Sequence, residues 1–88
     1  MAVKHIKTKT GFEVDIDDSC IDDMELFEAV ADLQAGNTLA VPTVIRKIFG
    51  EQKKALYDHC RLESGRVPTQ AISNEIAEVF EALNAKNS

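Results

Sequence analysis

The sequence predicts a mainly α-helical, small α+β domain: about four short helices packed together with an N-terminal β-hairpin. Three observations predict it. In "FEVDID", Phe12, Val14 and Ile16 alternate with Glu13, Asp15 and Asp17, the period-two pattern of a half-buried strand. Farther along, apolar residues recur at three- and four-residue spacing in four separate runs, which is the helical period. Gly11, Gly36, Gly50 and Gly65, with Pro42 and Pro68, separate these runs at the places where the chain should reverse.

The elements follow in order. The hairpin spans about 3–17, with Val3 to Lys7 as its first arm. A lone hairpin is marginal in water, so its apolar face must lie on helices. The first helix covers about 22–35. Asp22 is placed to cap it, Glu25 completes a capping-box pattern, Leu26, Val30 and Leu33 share one face, and Gly36 stops it. The second covers about 42–49. Pro42 suits a first turn because its missing N–H has no intrahelical partner there, and Val44, Ile45, Ile48 and Phe49 form the apolar side. The third covers about 51–64, with Leu56, His59, Cys60 and Glu63 on one face, and Gly65 ends it. The fourth covers about 68–85 on a stripe of Ile72, Ile76, Val79, Phe80 and Leu83. Between the last two, Pro68 disfavours helical geometry at Val67, which is held extended and fits the groove between them. The tail at 86–88 is expected to fray.

Eighty-eight residues make one domain, 1–88, that removes only about 60–65% of its unfolded surface from water. No leader and no apolar run of about 20 residues is present, so a soluble cytoplasmic protein is expected, with no membrane contact. Cys20 and Cys60 are too few and too far apart for a disulfide scaffold and are expected to be reduced. The net charge is −5, and it is uneven. Glu13, Asp15, Asp17, Asp18, Asp22, Asp23, Glu25, Glu28 and Asp32 fall between residues 11 and 35, where there is no Lys or Arg. That field repels phosphate backbones and attracts a basic partner surface.

Chemistry finds little support. A calcium loop begun at Asp15 needs Gly sixth and Glu twelfth, and the chain has Cys20 and Leu26 there. No CxxC or HxxxH pair nucleates a zinc site. His59 and Cys60 are adjacent, so on a helix their side chains diverge by about 100° and do not form a nucleophile–base pair. The exposed carboxylates have nothing to split their pKa values. The expectation is a protein that is not an enzyme and uses no metal or cofactor. "VPTVIRKIFGEQKKALYDHCR" also resembles a helix-turn-helix, with Arg46, Lys47, Lys53, Lys54 and Arg61 available for phosphates, but its second helix opens on Glu51-Gln52. The alternative of a small DNA-binding regulator stays open beside the favoured one.

The favoured alternative is a module for protein partners. Phe27, Tyr57, Leu62 and Val67 fall beside the inner helix faces rather than on them, and together would make a patch that docks an amphipathic helix. Asp22, Asp23 and Glu28 flank that patch with negative charge.

The order of segments "TKTGFEVDID", "DDMELFEAVADLQAG", "VPTVIRKIFGEQKKALYDHCR" and "SGRVPTQAISNEIAEVF" resembles the small tail assembly chaperones of long-tailed bacteriophages and prophages with Gram-positive hosts, over roughly residues 8–82. The resemblance implies a non-enzymatic protein of the host bacterial cytoplasm that binds the tape measure protein during tail morphogenesis and is absent from the mature virion. It also implies that a longer form could recruit the tail tube protein. A structural head or tail component is the remaining alternative.

Overall fold

Alternation sets the first element. In the computed structural model, which describes residues 3–85, strand β1 (Val3–Lys7) pairs antiparallel with β2 (Glu13–Asp17). Ile6 lies opposite Val14 and His5 opposite Asp15. Period two therefore turns Ile6, Val14 and Ile16 inward, where all three are buried, and leaves His5, Glu13 and Asp15 in water. The turn closes through Thr8 N–H to the Phe12 carbonyl at 2.9 Å, and Gly11 takes a φ of +93° that an L side chain resists.

After β2 the chain makes one turn of 3₁₀ helix, Asp18–Ile21, and this moves the start of the first α-helix. Helix α1 is Met24–Gln34, and its cap is Asp23 rather than the expected Asp22. The Asp23 carboxylate accepts from the amides of Glu25 at 2.9 Å and Leu26 at 3.3 Å. Asp22 instead ends the 3₁₀ turn, its N–H bonded to the Ser19 carbonyl. With the cap moved on by one, Glu25 no longer sits three residues beyond it, so the capping-box geometry is lost.

A second 3₁₀ turn, Thr38–Ala40, feeds helix α2 (Val41–Ile48), with Pro42 in the first turn as the sequence predicts. A third, Gly50–Gln52, feeds α3 (Lys53–Cys60). Helix α3 is four residues shorter at its C-terminal end than the expected 51–64. Arg61 is extended (φ −69°, ψ 134°), and Leu62 N–H then bonds the Arg66 carbonyl at 2.8 Å while Gly65 N–H bonds the Leu62 carbonyl at 2.9 Å. The local turn satisfies backbone groups that another helical turn would otherwise have used. Glu63 therefore leaves the helix, and His59 lies on its exposed side, though its ring still meets Phe12 at 5.3 Å between centroids.

Helix α4 (Thr69–Ala85) is the spine. It packs on β1, α2 and α3, while α1 lies mainly on α2. Ile72, Ile76, Val79 and Leu83 join Leu26, Val44, Ile45, Ile48, Phe49 and Leu56 in one core with the hairpin's apolar face. Full burial of a side chain such as Leu56 or Leu83 contributes roughly 1.5–3 kcal/mol. The fold class is the expected one, four α-helices among the described residues with an N-terminal two-stranded hairpin. The tail at 86–88 lies outside the described residues.

Candidate partner-docking surface

Single exposed apolar side chains are ordinary on a folded protein; a docking surface needs them gathered around a concavity. Tyr57 on α3 and Val67 before α4 meet that condition. Both are half-buried, and both line one hollow of about 480 Å³ whose floor includes Val41, Ile45 and Ile72. Leu39, 85% exposed on its 3₁₀ turn, lines the same hollow. Helix α3 ends early enough for the segment after it to bring Val67 back to the mouth, and Arg61 lies on the lining, its guanidinium donating to the Gly65 carbonyl at 2.8 Å.

A second hollow, of about 430 Å³, follows along α4 and lies between α4 and α1. Val30, Leu33, Ile76, Ala77 and Phe80 supply its apolar wall, and Thr38 borders both hollows.

The remaining expected contact residues lie elsewhere. Phe27, 61% exposed, projects from α1 with Met24 one turn before it, and neither lines the hollow of Tyr57 and Val67. Since α1 packs on α2 and α3 on α4, the outer edges of α1 and α3 do not merge into the single patch that the sequence predicts. Leu62 is exposed in the turn after α3. Asp22 is exposed, and Glu28 lines a separate, strongly polar hollow with Glu25, Asp32, Arg46 and Lys47. Asp23 has an internal role: besides capping α1 it accepts from Lys47 Nζ at 3.1 Å, and Lys47 reaches Glu25 at 2.8 Å. The Lys47 ammonium, then the Leu26 amide, hold the Asp23 carboxyl below its ordinary value, and Glu25 followed by Asp23 raises Lys47.

These pairings also bear on phosphate binding. Of the five basic residues on the helix-turn-helix-like segment, Lys47 is held by Asp23 and Glu25, Lys54 by Asp58 at 3.0 Å, and Arg61 by Gly65 and Asp58. The two thiols are shifted away from the thiolate form. Burial, then the charges of Asp17 and Asp18, pushes Cys20 up, and burial, then Glu75, pushes Cys60 up, so both keep their protons at neutral pH. Among the described residues, no three His, Cys, Asp or Glu side chains converge to hold a metal ion. No helix among them is long and apolar enough to cross a membrane.

Sequence reasoning missed Leu39, Thr38 and the outer wall of α4. Leu39 stands in "NTLAVP", where Asn37 and Thr38 signal a turn; a leucine stranded between turn residues and a helix start is the only local hint. No family model, no curated protein and no solved structure matches the chain.

Proposed function

We propose that this chain is a non-enzymatic, tail-assembly-chaperone-like protein that holds an amphipathic segment of a phage tape measure protein during tail morphogenesis. The observation that carries the proposal is the open apolar hollow bounded by Leu39, Tyr57 and Val67 over a floor of Ile45 and Ile72. A tape measure chain that awaits assembly presents apolar helical stripes, and a concave apolar surface is the standard receptor for such a stripe. A hollow of about 480 Å³ offers a partner only a modest contact, which fits one that must later be handed over. The acidic 11–35 region supports solubility of the loaded complex. In this role the protein works in the host cytoplasm, is left out of the finished virion, and reaches the tail tube protein only through a longer form.

Co-expression with the tape measure protein of the same genome is the test. The partner is expected to stay soluble and to co-purify with the wild type. Tyr57→Ala and Leu39→Ser should weaken that recovery while the helical circular dichroism stays unchanged. A tape measure protein that is equally insoluble with and without this chain, or one recovered just as well with both variants, would overturn the proposal.

A further inference from the structure

Leu39 lines two hollows at once: the apolar one of Ile45, Tyr57 and Val67, and a charged one of about 450 Å³ between α1 and α2. On the α1 wall of the charged hollow stand Glu25, Glu28 and Asp32, and on the α2 wall Arg46 and Lys47. Lys47 is committed to Asp23 and Glu25. Glu28 and Asp32 are both exposed and make no ion pair among the described residues, and Arg46 pairs with neither. Four residues apart on one helix, they are like charges about 6 Å from each other along its axis, a spacing that costs α1 stability. Asp32 also lies in the last turn of α1, at the negative end of the helix dipole, where no base of that turn offsets it. These two carboxylates work against the helix that carries them. A positive charge arriving from outside, beside Leu39, would relieve both.

We infer that the docking surface at Leu39 takes an amphipathic segment of basic character: an apolar side chain packs against Leu39 in the apolar hollow, and a neighbouring Lys or Arg of the partner pairs with Glu28 and Asp32. This rests on the proposed docking role and gives its partner a chemistry. Charge complementarity selects the occupant. A base placed there meets two unpaired carboxylates and the negative end of α1, whereas an acidic segment is repelled by both. A second copy of this chain brings a net charge of −5 to the same flank and is disfavoured. Arg46, across the charged hollow, opposes the incoming base, so its removal should tighten the same partner.

The test uses two labelled 16-residue peptides with the same leucine stripe, flanked by Lys in the first and by Glu in the second. Fluorescence anisotropy at low salt is expected to show the wild type preferring the Lys peptide about fivefold or more, with the preference fading at 1 M salt. The double variant Glu28→Gln/Asp32→Gln should lose most of that preference. Glu51→Gln/Glu63→Gln, which removes the same net charge from exposed positions outside both hollows, should keep it. Arg46→Gln should raise affinity for the Lys peptide, and Leu39→Ser should weaken both peptides, while circular dichroism confirms the fold of each variant. Equal binding of the two peptides, no binding of either, or binding untouched by Leu39→Ser would overturn the inference. A preference lost to the same extent in both double variants would overturn it too, by assigning the effect to the overall charge of the chain. Sedimentation showing a dimer that Leu39→Ser dissociates would give the surface to a second copy instead. The co-expression test reads separately: a tape measure protein kept just as soluble by Glu28→Gln/Asp32→Gln sinks this inference alone, and a Lys-peptide preference without tape measure rescue sinks the chaperone role alone.

Discussion

Thr8 Oγ1 donates to Glu75 Oε1 at 2.7 Å, a bond that links the hairpin turn to the middle of α4 across 67 residues of chain. Both side chains are buried, and Thr10 Oγ1 donates to the other carboxylate oxygen at 2.8 Å. His59 Nε2 lies 2.9 Å from Thr10 Oγ1, whose proton is already given to Glu75, so the imidazole is the donor there. A buried carboxylate is tolerated because every hydrogen bond it needs is supplied. Glu75→Ala leaves two threonine hydroxyls without their acceptor and should destabilise the fold by about 1–3 kcal/mol. Glu75→Gln keeps an acceptor for one hydroxyl and should be milder. Chemical denaturation, with hydrogen exchange at the Phe12 amide, checks both.

Asp23 and Asp22 are chemically alike and adjacent, yet only Asp23 caps α1. Asp23→Ala should lower Tm clearly at pH 7, and Asp22→Ala should scarcely change it. The Asp23 carboxyl is held below its ordinary value by Lys47 and the Leu26 amide. Its contribution is therefore present above the unfolded pKa of about 3.9 and is lost as pH falls through the lower folded value. The gap between the two variants should close in acid, and thermal melts from pH 7 down to about 2.5 test it.

His5 behaves in the opposite sense. Its ring bonds Asp15 at 2.7 Å and Glu13 at 2.9 Å across the hairpin, and these two partners, Asp15 first, raise it above its ordinary value. The stabilisation is complete below the unfolded pKa of about 6.5, provided the carboxylates stay ionised, and is lost as pH rises through the raised folded value. His5→Gln is expected to lower Tm more at pH 6 than at pH 8.5. Equal losses at both pH values would mean that the imidazolium charge contributes nothing.

Leu39 and Leu56 make a matched contrast. Leu39 is almost wholly exposed, so Leu39→Ser should leave the denaturation midpoint within experimental error. Leu56 has no exposed surface, and Leu56→Ala should destabilise by about 2–5 kcal/mol through lost burial and the cavity left behind. A large loss from Leu39→Ser would mean that this side chain supports the fold and not a surface.

The hairpin and α4 were legible in the sequence because their signals are periodic and repeated: Val14 and Ile16 in one, Ile72, Ile76, Val79 and Leu83 in the other. The end of α3 was not. Leu56, His59, Cys60 and Glu63 keep helical spacing beyond the point where the helix stops, and the turn that stops it is closed by Leu62, Gly65 and Arg66 farther along. The cap of α1 slipped by one residue because two neighbouring aspartates offer the same carboxylate, and the choice was made by the 3₁₀ turn before them. Of the candidate surface, Tyr57 and Val67 were readable as amphipathic edges. The two hollows themselves join α1, α2, α3 and α4 with residues distant in sequence, and no window of the chain contains that geometry.

Ile72 and Ile76 belong to the core, and each also lines one of the two apolar hollows. Whatever rests in either hollow presses on a side chain that keeps the chain folded, so occupancy and folding are coupled by mass action. An occupant present at a hundred times its Kd would add about 2.7 kcal/mol of resistance to unfolding. The melting temperature of this protein is therefore a built-in gauge of its own saturation, readable without a label on either molecule.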